Sequence, residues 1–181
     1  PTCTKSPPLA DGTGGDDGLA CTGTGQQCND GACVPSATHP CSDGDICTSE
    51  ACFEGAPPVC VPPEPRTIPG AACDSVTGFT VADFWGHEYF SYGGSCVGAF
   101  LPGPETAFAI DLASPAHVVV QMGAVGESRL LLLSDGCDPA SCLALDSAGT
   151  LDAGTLAAGT YTLVVDSGAK PQGGFIDVDC I

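Results

Sequence analysis

Cysteine constrains this chain more than any other residue. There are 13 cysteines among 181 residues, and eight of them precede residue 61. Cytosolic thiols are kept reduced, so a chain this rich in cysteine reads as secreted or cell-surface material stapled by disulfides. Thirteen is an odd number, so at least one sulfur has no partner within the chain and is either a thiol or a bridge to another molecule. The sequence contains no basic n-region, no apolar h-region and no apolar stretch that could span a bilayer. With its first residue at Pro1, it is expected to be a mature secreted chain without membrane insertion.

Composition changes near residue 70. Residues 1–70 hold 11 of the 16 prolines and no long apolar run. Such a segment cannot bury enough surface to offset its conformational entropy, so disulfides must hold it. Residues 1–61 therefore read as a loop-rich, disulfide-stapled arm. Residues 62–70, with Pro62, Pro63, Pro65 and Pro69, read as a stiff extended linker. The arm repeats itself over about 15–34 and 41–61. One copy contains Asp16-Asp17-Gly18, Cys21-Thr22, Cys28 and Cys33-Val34. The other contains Cys41-Ser42-Asp43-Gly44-Asp45, Cys47-Thr48, Cys52 and Cys60-Val61. The opening cysteine of the first copy is replaced by Gly15, and Cys3 is the candidate to supply it. Asp16, Asp17, Asp43 and Asp45 are the oxygen-rich positions that could meet calcium. They lack the further spaced ligands of a calcium loop, and Asp-Gly pairs are also what turns require.

Residues 71–181 read as strands. Thr160–Asp166 places Tyr161, Leu163 and Val165 on one face at period two, and Gly174–Cys180 alternates Ile176 and Val178 with Asp177 and Asp179. Ala107–Leu112, His117–Met122 and Arg129–Leu133 are further apolar runs. Pro102-Gly103-Pro104, Ser114-Pro115, Ser134-Asp135-Gly136, Ala158-Gly159 and Ser167-Gly168 punctuate them. No helical period survives Gly149 and Gly154. The expected architecture is all-β: an antiparallel, jelly-roll-like β-sandwich over 71–181 behind the N-terminal arm.

Two resemblances attach to these residues. Through Cys41, Asp43, Gly44, Cys47, Thr48, Cys52, Cys60 and Val61, the arm resembles Cys-rich repeats of myxobacterial secreted proteins and slime-mould matrix proteins. Residues 71–181 resemble the bacterial pre-peptidase C-terminal-like domain. The resemblance rests on Gly103-Pro104-Glu105 leading into Phe108-Ala109-Ile110, on Leu130–Leu133 followed by Gly136 to Cys142, and on Leu156 to Tyr161 leading into Val164-Val165-Asp166. It implies a small, non-catalytic β-sandwich that accompanies secreted hydrolases or stands in surface proteins. Some related members bind calcium and collagen, but their acidic ligands do not map onto this chain.

Cys137 and Cys142 flank the turn Asp138-Pro139-Ala140-Ser141, and a local disulfide is expected between them. Zinc would need four converging Cys or His ligands. Cys73 can pair with Cys180, tying the terminal strands, or with Cys96. The partners of Cys3, Cys21, Cys28, Cys33, Cys41, Cys47, Cys52 and Cys60 cannot be deduced from spacing. Seven of the 11 aromatics lie between residues 79 and 100. Burial is their commoner fate. If exposed, Phe84, Trp85, Tyr89, Phe90 and Tyr92 would form an interface for sugars or for a neighbouring subunit.

No catalytic motif is present. His87-Glu88 lacks the second histidine of a zincin, no G-x-S-x-G elbow occurs, and His39, His87 and His117 have no motif-based partner. A net charge of −18 excludes nucleic acid and anionic lipid as partners, leaving calcium as the one cofactor to consider. The sequence therefore points to a secreted or cell-surface, non-enzymatic structural or adhesive protein that associates with copies of itself in a fibre or filament. The alternative is an accessory module of a secreted hydrolase, binding an extracellular polymer such as polysaccharide or collagen, with or without calcium.

Overall fold

The computed structural model describes residues 14, 27–29, 32–34, 41, 43, 45, 47–49, 52, 53, 57, 59–61, 64–80, 92–96, 105–124, 128–134, 136–146, 149–168 and 173–181. They divide between two compact units, 1–44 with 48–65, and 45–47 with 66–181.

The first unit consists of short antiparallel pairs. β1 (Gln27–Asn29) pairs with β2 (Ala32–Val34), β3 (Thr48–Ser49) with β6 (Glu64–Pro65), and β4 (Cys52–Phe53) with β5 (Val59–Cys60). Those of its residues whose burial is described (14, 41, 43, 48, 53, 57, 59–61, 64 and 65) are exposed or half-buried, and Phe53 and Val59 are exposed. With no apolar core on those residues, a covalent staple takes its place. Cys41 is bonded to Cys60 with Cα atoms 5.3 Å apart.

The second unit is an all-β sandwich of two four-stranded antiparallel sheets. Its strands are β7 (Ser75–Phe79), β8 (Glu105–Leu112), β9 (Ala116–Ala124), β10 (Ser128–Leu133), β11 (Cys142–Leu145), β12 (Thr150–Leu156), β13 (Gly159–Ser167) and β14 (Gly174–Cys180). The first sheet runs β11-β10-β13-β8 and the second β12-β9-β14-β7. Consecutive strands change sheet at every connection except β10–β11, which gives the jelly-roll character. The core between the sheets is formed by Phe108, Ile110, Leu130, Leu132, Leu163 and Val165 from one side, and by Phe79, Val118, Val120, Leu151, Ile176 and Val178 from the other. Tyr161 locks a corner: its hydroxyl donates to the Ala157 carbonyl at 3.0 Å, fixing the short turn from β12 to β13.

One edge of each sheet is managed. The segment read as linker contributes to the sandwich: Ala71 N–H donates to the Ala109 carbonyl, and Ala109 N–H donates to that of Pro69, covering the edge of β8. At the β12 edge, a bulge between Asp152 and Gly154, with Gly154 at φ 68°, breaks the regular ladder.

The disulfides correct one expectation. Cys137 and Cys142 are not bonded to each other. Cys137 is bonded to Cys47 and Cys142 to Cys96, with Cα separations of 5.7 and 5.9 Å. The intervening residues form a single 3-10 turn, Pro139–Ser141, capped by the Asp138 carboxylate accepting from Ala140 N–H. That turn delivers both cysteines into one buried cluster, where each meets a sulfur from a distant segment. Of the two partners open to Cys73, Cys180 is the one used, with Cα atoms 5.4 Å apart. The sulfurs of Cys3, Cys21, Cys28, Cys33 and Cys52 lie outside the described atoms.

Candidate binding face

The two sheets present different outer faces. On β13, Tyr161, Leu163 and Val165 point into the core, so Thr162, Val164 and Asp166 point outward, yet every residue from Tyr161 to Ser167 is buried. The same holds for β10, where outward Leu131 and Leu133 are as buried as inward Leu130 and Leu132. The cover is Tyr92 with the half-cystines Cys96, Cys137 and Cys142, packed on Ala107, Leu131, Leu133 and Val164 and flanked by Cys47, Ile68 and Leu145. Tyr92 is thus 3% exposed and is not the surface aromatic an interface would need. The other four aromatics read as an interface, Phe84, Trp85, Tyr89 and Phe90, lie outside the described residues.

This covered face also buries charge. The register sets Asp166 opposite Glu105 on one side and Arg129 on the other, and both carboxylates are fully buried. Burying two carboxylates side by side is costly unless they are paired and hydrogen-bonded.

The second sheet has no such cover among the described residues. Ile176 and Val178 of β14 point inward, which turns Phe175, Asp177 and Asp179 outward. Phe175 is 46% exposed and Val76 of β7 is 63% exposed. Phe175 sits between two glycines, opposite Gly78 on β7 and Gly123 on β9. A Cβ placed on Gly123 would run into the Phe175 ring, so the ring reaches over β9 with its edge against the glycine. The absent side chains create the platform: any larger residue at 123 would lift the ring. The next row across the sheet is Val76, Asp177, Gln121 and Thr150. The row after it holds Asp179, Val119 and Asp152. Among the described residues, the side chains of Asp177 and Asp179 have no hydrogen bond or ion pair, and no Lys or Arg stands on this face.

His117 lies farther along the same face. Its Nε2 meets Asp152 Oδ1 at 2.8 Å across the β9–β12 bulge, a partner that sequence reading did not find. The Asp152 carboxyl is held below its ordinary value of 3.8, chiefly by Gly154 N–H and then by the His117 hydrogen bond. No described hydroxyl or thiol is hydrogen-bonded to His117, so the pair has no nucleophile to activate among the described residues.

The oxygen positions considered for calcium have local work. Asp43 accepts from Thr48 Oγ1 at 3.0 and 3.1 Å, and Asp45 accepts from Cys47 N–H at 2.8 Å, the bonds that hold Asp-containing turns. Asp16 and Asp17 lie outside the described residues. Asp45 also forms a cluster with Cys47 and Cys137, their ligand atoms within 4.8 Å of one another. One carboxylate and two disulfide sulfurs do not fit calcium, which takes six to eight oxygens.

No family model matches this chain, and no curated protein matches it. Among solved structures, the pre-peptidase C-terminal domain of a collagenase from Bacillus anthracis is similar in fold. The match has 11% identity and a TM-score of 0.42, covering 65% of this chain and 98% of that domain.

Proposed function

We propose that the chain is an extracellular, non-catalytic binding and adhesion module, and that the outer face of the second sheet is its binding surface. One observation carries this: the outer face of the first sheet is covered over β10 and β13, whereas the second sheet leaves Phe175 and Val76 exposed. A solvated sheet face normally carries polar residues at such positions. Four disulfides among the described residues support an oxidising location.

A pull-down on insoluble collagen, cellulose and chitin tests this. Wild-type protein is expected to be retained on at least one polymer, and Phe175→Ala to be retained less while unfolding at the same urea concentration. Equal retention of the two proteins, or none by either, counts against the proposal.

A second role is supported by cysteine parity. With 13 cysteines, at least one sulfur has no partner within the chain, which suits disulfide-linked assembly of copies. Native protein alkylated without reduction should run as multimers that collapse on reduction. A monomer with one alkylated thiol would remove covalent assembly.

A further inference from the structure

We infer that the platform takes a basic, extended polypeptide segment, with Lys or Arg at alternate positions, laid along β14 so that one cation covers Phe175 and the next ones meet Asp177 and Asp179. This deepens the proposal above and rests on that face being the binding surface.

Charge selects the ligand class. The whole chain carries −18 with only four Lys and Arg. On the platform itself, Asp177 and Asp179 are carboxylates without side-chain partners among the described residues, beside an aromatic ring that is 46% exposed. A ring face attracts a guanidinium or ammonium within about 6 Å of its centre, and carboxylates on the same row attract further cations. An anionic ligand would be repelled by the same row.

Spacing selects the ligand's form. Phe175, Asp177 and Asp179 are alternate residues of one strand, so they project from the same face at intervals of about 6.8 Å. An extended polypeptide repeats its own side chains at that same interval. Such a chain, running along β14, brings every second side chain down onto this row. Gly78 leaves the β7 flank of the ring low enough for a backbone to approach, while the ring itself covers Gly123.

Fluorescence anisotropy of labelled peptides at 50 mM NaCl tests the inference. The probes are a Lys-Thr repeat decapeptide, its Gln-Thr counterpart, and labelled cellohexaose and chitohexaose. The Lys-Thr peptide is expected to bind, and the Gln-Thr peptide to bind at least ten-fold more weakly. Phe175→Ala, which changes no charge, is expected to weaken the Lys-Thr complex about five-fold, the scale of an exposed cation–π contact. Gly123→Ala keeps the ring but displaces it, and should weaken binding similarly. Asp177→Asn should cost about three-fold or more, and Asp111→Asn, which removes the same charge from an exposed position on β8, less than two-fold. Equal binding by wild type and Phe175→Ala would mean that net acidity alone attracts the peptide, and overturns the inference. Phe175-dependent binding of a hexaose without Lys-Thr binding overturns the inference but leaves the binding face standing. Absence of binding by every probe overturns the inference as well, and the polymer pull-down then decides the binding face separately.

Discussion

Leu131 and Leu132 are neighbours on β10 that point to opposite faces of the first sheet, and both are 0% exposed. In a sandwich with one solvated face per sheet, truncating the outward leucine would change stability by a few tenths of a kcal/mol. Here each Leu→Ala change removes a buried side chain and leaves a cavity, which costs about 3–5 kcal/mol. We therefore expect Leu131→Ala and Leu132→Ala to destabilise the protein by similar amounts. Val76→Ala, on the outer face of the second sheet, should cost less than about 0.5 kcal/mol. The assay is urea unfolding of the disulfide-intact protein followed by far-ultraviolet circular dichroism. In thermal unfolding, a loss of about 3 kcal/mol corresponds to roughly 6–12 °C for a chain of this size. A cost below about 1 kcal/mol for Leu131→Ala, beside a cost near 3 for Leu132→Ala, would refute the two-sided burial of this sheet.

Three further outcomes are expected. Tyr161→Phe deletes the hydrogen bond to the Ala157 carbonyl and should lower stability by about 1 kcal/mol in the same urea assay, with no change of fold. Replacing Cys73 and Cys180 together by Ala opens a staple spanning 107 residues, and the chain-entropy account puts its loss at about 4–5 kcal/mol. A loss under about 1 kcal/mol would show that the terminal strands are held by packing alone. The Asp152 carboxyl should titrate below 3.8 by carbon-13 NMR. His117→Ala should move it up only part of the way, because Gly154 N–H still donates to it. Since the folded-state value is depressed, the stabilising contribution is complete above 3.8 and is lost as pH falls through the lowered value. Titration at or above 3.8 in the wild-type protein would contradict this.

The sequence reveals strands that hold an unbroken apolar run or a clean alternation, whether one face is wet or both are covered. In β14, Ile176 and Val178 alternate with Asp177 and Asp179 because the latter do stand outside, and the expected bounds Gly174–Cys180 match the strand. β13 was legible as a strand, but the burial of Val164 and Asp166 was not, because their cover comes from Tyr92 and the half-cystines of distant segments. β7, β11 and β12 escaped sequence reading. They are short or interrupted, and Gly154 in β12 belongs to a bulge. Four-residue spacing suggested Cys137–Cys142, but pairing is decided by which sulfurs converge in the cluster, and that depends on tertiary structure. The candidate site was hidden for the same reason. Phe175 is an isolated aromatic outside the cluster at 79–100, and only the strand register sets it between Gly78 and Gly123. The Asp152 partner of His117 is 35 residues away and likewise depends on register.

The most direct test of the binding face is amide chemical-shift mapping on nitrogen-15-labelled, disulfide-intact protein titrated with the Lys-Thr decapeptide. The account predicts shifts concentrated at residues 76–78, 121–123 and 175–179, the outer rows of the second sheet, with residues 129–133 of the covered first sheet unmoved. Shifts concentrated on the first sheet, or spread evenly over the acidic surface, would contradict it.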